Sequence, residues 1–118
     1  MRGYVPLARS AQTLIGNHVR NSWGEDLGTI EDLVLDLQTG RTVYAIMAFR
    51  GLLGIGHKLL AVPFQAMTVD TADGCFVLRV DKDRLRNAPG FERDNWPEHV
   101  DPSFVDQVYG YYGVSAIP

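Results

Sequence analysis

The stretch that decides the fold is Leu27–Phe49, LGTIEDLVLDLQTGRTVYAIMAF. Its first half has two readings. Leu27, Ile30, Val34 and Leu37 are spaced like one face of a helix, whereas Leu33, Leu35 and Leu37 alternate like a strand. The second half favours the strand: Thr39-Gly40 is a turn signal, and Thr42 to Phe49 is rich in β-branched and aromatic residues, as in the return arm of a hairpin. Apolar parity shifts between Ile30 and Leu33, which predicts a bulge or sharp bend at Glu31-Asp32. The return arm is apolar on both faces, with Val43, Ala45, Met47 and Phe49 on one and Tyr44, Ile46 and Ala48 on the other. Such a strand needs a second cover, either the C-terminal helix or another subunit.

Working outward, turn signals recur at Asn21 to Gly24, Gln38 to Gly40, Gly51 to Gly56 and Thr71 to Gly74, bracketing segments of strand length. This spacing predicts an all-β barrel or sandwich. Leu59 to Val62 forms a strand in which Pro63 either ends the pairing or marks an edge, and Phe76, Leu78 and Val80 line the inner face of a last strand. Ser10 caps a helical turn from Ala11 to Ile15, ended by Gly16, and Asp83 to Asn87 forms a second turn broken by Pro89-Gly90. Asp101 as cap, Pro102 at the first helical position and Gly113 as stop mark a short helix. Its apolar stripe is expected at Phe104, Val108 and Tyr111 or Tyr112. Residues 1–9 carry no periodicity and are expected to form a flexible arm, followed by the barrel over 10–80 and a helical extension over 81–118.

The 118 residues, 46% of them hydrophobic, suffice for one domain with a real core. Cys75 is the single cysteine, which rules out an internal disulfide and fits a reducing, cytoplasmic setting. No stretch approaches the roughly 20 apolar residues of a membrane span, and the first residues lack the apolar run of a secretory signal. The net charge of −3 comes with no basic block, which argues against nucleic-acid binding.

The segment Phe49–Phe64, FRGLLGIGHKLLAVPF, sets Leu52, Leu53 and Ile55 in a glycine loop where polar residues are usual, so the loop is expected to touch a partner or the core. Its G-x-x-G-x-G spacing joins strands rather than opening a helix, unlike a phosphate loop, and no Ser or Thr follows Lys58 to hold magnesium. Asp81, Asp83 and Glu92 match three positions of a calcium loop, but Leu85, Arg86 and Pro89 break it. His18, His57 and His99 are too scattered for a zinc site, and Cys75 is expected to be a structural thiol. The serines lack a nucleophile-elbow context. Trp23, Trp96 and the C-terminal tyrosines lack the interleaved cations of a base-stacking surface and are expected to cover the barrel.

Leu14-Ile15-Gly16, Gly24 to Gly28, Ile30-Glu31-Asp32-Leu33, Thr39-Gly40-Arg41, the Gly51 to Gly56 loop and Ala61-Val62-Pro63 together resemble the PRC-barrel family over about Ser10 to Val80. Asn87 to Phe91, Asn95-Trp96-Pro97 and Tyr109 to Gly113 look like the tail of its stand-alone bacterial members. The resemblance implies a small antiparallel β-barrel, as in the cytoplasmic part of the photosynthetic reaction-centre H chain and the C-terminal domain of a ribosome-maturation factor. Both relatives bind other macromolecules, and no functional motif of either transfers onto residues of this chain.

The expected function is a non-enzymatic protein–protein interaction or assembly module, without catalytic, metal or cofactor residues. It is expected to form a homodimer through Tyr44, Ile46, Phe49, Leu52, Leu53, Ile55, Tyr111 and Tyr112, with an unidentified protein as further partner. The alternative is a ligand-binding or catalytic domain using the barrel mouth, although the inward positions Val43, Ala45, Met47, Phe76, Leu78 and Val80 are apolar. A third reading is an accessory factor in ribosome or RNA assembly.

Overall fold

A computed structural model describes residues 8–50, 58–92, 95 and 99–115. The chain runs through helix α1 (Ala11–Leu14) and strands β1 (His18–Arg20), β2 (Asp26–Leu35), β3 (Thr42–Phe49) and β4 (Lys58–Pro63). A 3-10 turn (Phe64–Ala66) leads into β5 (Met67–Asp70) and β6 (Cys75–Leu78). A second 3-10 turn (Lys82–Asn87), β7 (Gly90–Glu92) and helix α2 (Pro102–Tyr112) complete it.

The hairpin expected from Leu27 to Phe49 is β2 and β3, and its pairing slips where the parity shift predicts. Ile30 lies opposite Met47 but Asp32 opposite Ile46, which leaves Glu31 as the extra residue. A second slip sits between Val34 and Leu35, whose partners are Tyr44 and Thr42, so Val43 is extra on β3. Two consecutive side chains at such a bulge share a side. Val43 therefore packs with Tyr44 on the outer face, not with Ala45 and Met47 as the alternation predicted. Gly28 sits where β2 crosses closest to β3: its φ is 151°, and a Cβ there would lie 2.0 Å from the Ala48 carbonyl oxygen.

The sheet departs from a small antiparallel barrel in two respects. It is mixed, since β1 runs parallel to β6 with Val19 opposite Phe76, and it does not close among the described residues. The strand order is β5-β6-β1-β2-β3-β4-β7, with β5 and β7 as free edges among the described residues. The three-residue β7 follows Pro89 directly, too short to show a pattern in sequence, so Phe76 to Val80 was not the last strand. Gly90 makes this pairing possible, because a Cβ there would meet the Leu59 carbonyl oxygen at 2.1 Å.

Two apolar clusters lie on opposite faces. The inner one gathers Val19, Leu27, Ile30, Met47, Leu60, Val62, Met67, Phe76 and Leu78 from six strands, so the sheet wraps around it. The outer one holds Tyr44, Ile46, Leu59 and Ala61 under Val108 and Tyr109 of α2. The second cover for the doubly apolar strand is thus the C-terminal helix of the same chain. Its signals act as expected: the Asp101 carboxylate accepts from the Ser103 N–H at 3.0 Å, and Gly113 closes the helix at φ 68°. The buried stripe is broader than the one expected, because Tyr109 turns inward and donates its hydroxyl to the Val43 carbonyl at 2.6 Å. Phe104 packs edge-on to Tyr44, with ring centres 6.0 Å apart. Among the described residues, no helix is long and apolar enough to cross a membrane.

Candidate functional site

Where the inner core reaches the surface, between the far end of the β2–β3 hairpin and the β5–β6 hairpin, the structure leaves an open groove of ≈ 670 Å³. Its walls are mainly apolar, formed by Leu14 of α1, Leu33 of β2, Phe64 of the 3-10 turn, Val69 of β5 and Phe76 of β6. Thr13, Thr42 and Thr71 supply hydroxyls, and Arg9 lies at the same place. β5 pairs with β6 and with no other strand among the described residues. One edge of β5 therefore has no strand partner among the described residues. Val69 on β5 and Leu35 on β2 are each 49% exposed on the groove walls.

Cys75 is buried on one wall, as expected of a structural thiol. Beside it, Arg20 Nη2 donates to the Asp70 carboxylate at 2.6 Å and stands 3.9 Å from Asp73. Asp70 also accepts from the Ala72 and Asp73 N–H groups, capping the β5–β6 turn. These backbone donors, together with the Arg20 guanidinium, hold its carboxyl below the ordinary aspartate value. Ligand atoms of Asp70, Asp73 and Cys75 lie within 4.8 Å of one another, the spacing of a cation site. The Arg20 guanidinium already supplies the positive charge there, so the cluster works as an ion pair that braces β1 against the β5–β6 turn.

The residues expected to form a dimer interface are dispersed. Tyr44 and Ile46 are buried beneath α2, and Phe49 belongs to the inner core, so none of the three offers an exposed surface. The physical reason is α2 itself, which supplies the apolar cover that a second subunit was expected to provide. Tyr111 is half-buried in a clasp with Arg84: each donates to the other's carbonyl, and the guanidinium carbon sits 4.6 Å from the ring centre. Tyr112 is half-buried, its hydroxyl without a hydrogen-bond partner and pushed up in pKa by burial. Leu52, Leu53 and Ile55, like His57 and Trp96, lie outside the described residues.

Two residues were missed or misplaced by the sequence reading. Asn21 is fully buried and organises the β1–β2 turn: its Oδ1 accepts from the Trp23 and Glu25 N–H groups, and its Nδ2 donates to Glu25 and to the Val80 carbonyl. The Asn-Ser-Trp-Gly turn signal located this turn but did not reveal the long-range bond to Val80. Trp23 does not cover the barrel; with the turn's bonds directed inward, its side chain projects outward, 70% exposed.

A family model for the PRC-barrel domain matches residues 8–85, from the start of the described chain into the second 3-10 turn. No curated protein matches the chain. The matched span contains α1, strands β1 to β6 and every wall of the groove, and on that ground the chain belongs to the PRC-barrel domain family.

Proposed function

We propose that this chain is a non-enzymatic interaction module of the PRC-barrel family that docks an extended apolar segment of another polypeptide and also associates with a second copy of itself. The observation that carries the reading is the groove beside β5, one edge of which has no strand partner among the described residues. A free strand edge offers backbone hydrogen bonds, and an adjoining apolar groove takes alternate side chains, the arrangement by which extended peptides are bound. Self-association is attributed to Leu52, Leu53 and Ile55, the apolar residues of the glycine-rich segment between β3 and β4.

Native mass spectrometry over a dilution series tests the self-association. A dimer that Leu53→Asp dissociates, with the melting temperature unchanged, supports it; a monomer at every concentration ends it. A second reading rests on the same groove: the three threonine hydroxyls among apolar walls suit a small, largely apolar ligand with a few polar groups. A reproducible added mass, lost from a Phe64→Asp variant, would favour that reading.

A further inference from the structure

Leu37, in the turn of the β2–β3 hairpin, is 91% exposed. Leu35 and Thr42, which pair at the end of that hairpin, both line the groove, so Leu37 stands within about 7 Å of its rim along the chain. Turns are normally built from polar residues and glycine, and the bonds that close this one come from the neighbours of the leucine. The Asp36 carboxylate accepts from the Gln38 N–H at 2.9 Å, and the Gly40 N–H donates to the Asp36 carbonyl at 2.7 Å. They hold the backbone on either side of Leu37, so burying the side chain against a partner requires little further ordering. The charges beside knob and groove are opposite. Arg9 is the one charged residue among the described residues that line the groove, and its guanidinium donates to the Ala8 carbonyl there at 2.9 Å. Asp36 adjoins the leucine, and the Gln38 N–H and Thr39 hydroxyl hold its carboxyl below the ordinary aspartate value, which keeps it anionic.

We propose that two copies of this chain pair reciprocally, Leu37 of each entering the groove of the other, with Asp36 of each facing Arg9 of the other. This rests on reading the groove as a docking place and names its occupant; an extended apolar segment of another protein competes for the same walls. An apolar knob beside an apolar hollow is self-complementary under a two-fold rotation, which sets each knob over the other molecule's hollow. The same rotation brings the carboxylate beside the knob to the guanidinium beside the hollow, so charge and shape agree on one partner. Leu33, Phe64 and Phe76 supply the walls that the incoming leucine meets. The two contacts form together, and whatever one leucine contributes is counted twice.

The test is native mass spectrometry over a dilution series on the Leu53→Asp chain, which lacks the other self-association contact. Dimer is expected to persist there, and adding Leu37→Asp should raise its dissociation constant roughly a hundredfold, about tenfold for each of the two buried leucines. Val69→Glu, which puts a carboxylate on the groove wall, should do the same. Both side chains are exposed, so the melting temperature of each variant monomer should match the parent's. Mixing the two variants should restore a heterodimer that neither forms alone, because the intact leucine of one meets the intact groove of the other. Arg9→Glu should weaken the dimer several-fold, and Arg9→Lys should leave it unchanged. Monomer at every concentration in the Leu53→Asp chain overturns the proposal while leaving self-association through Leu53 standing. A dimer indifferent to Leu37→Asp overturns it, and so does a mixture that stays monomeric. Anilinonaphthalene sulfonate tests the groove by itself: the Leu37→Asp monomer should bind the dye and lose it on adding Val69→Glu. Dye binding without the dimer ends the proposed occupant alone, and no dye binding ends the docking place with it.

Discussion

The centre of the sheet and Val69 at its β5 edge present apolar side chains that end in opposite conditions. Tyr44, Ile46 and Met47 of β3 and Leu59, Leu60 and Val62 of β4 are buried on both faces, between the inner core and α2. Val69 of β5, no less apolar, is half-exposed beside an open groove, on a strand whose other edge has no partner among the described residues. The difference is one of neighbours. The centre is flanked by strands and capped by a helix, and β5 has a single strand partner among the described residues. Close packing leaves no room for change at the centre, and the incomplete packing at the edge leaves room for a partner.

Four substitutions break or sharpen this contrast. Gly28→Val strikes hardest, since the added carbon collides with the Ala48 carbonyl at a backbone angle that side chains avoid. Strain and overpacking together should cost roughly 2–6 kcal/mol, read as a loss in urea-denaturation midpoint or as failure to fold. A fully stable variant would show that β2 and β3 are not held as close as described. Tyr109→Phe removes the donor to the Val43 carbonyl at the β3 bulge while keeping the ring, and should cost about 1 kcal/mol in the same measurement. No loss would mean that water serves that carbonyl.

At the edge, Asp70 gives a smaller effect with a definite sign. Because its folded carboxyl titrates below the ordinary value, its contribution is present above the unfolded-state value of about 3.9. That contribution is lost as pH falls through the lower folded one. Asp70→Asn should therefore lower the melting temperature at neutral pH and leave a shallower decline on acidification, while a parallel decline in both proteins would sink the idea. Val69→Thr should be the mildest: it keeps a β-branched residue on an exposed edge and should stay within about 0.5 kcal/mol of the parent. A larger loss would show that Val69 packs more tightly than its exposure indicates.

Much of the local structure was legible in the sequence because it depends on short-range chemistry. The Glu31 bulge followed from a parity shift, the α2 boundaries from Asp101, Pro102 and Gly113, and the first helical turn from Ser10. The Val43 bulge was not legible, because its neighbours remain apolar on both faces and parity carries no signal there. The groove was also hidden: its walls come from α1, β2, the turn after β4, β5 and β6, and no window of sequence contains them together.

The sequence by itself determined the β2–β3 hairpin, the doubly apolar character of β3 and the need for a second cover, because these depend on residue type and period along one segment. Only the tertiary structure decided that α2 of the same chain supplies that cover and that the sheet is mixed and open at β5. Those outcomes turn on which distant segments meet, and that is settled by whole-chain packing: by Tyr109 reaching Val43, β1 entering beside β6, and glycine permitting β7 to approach β4.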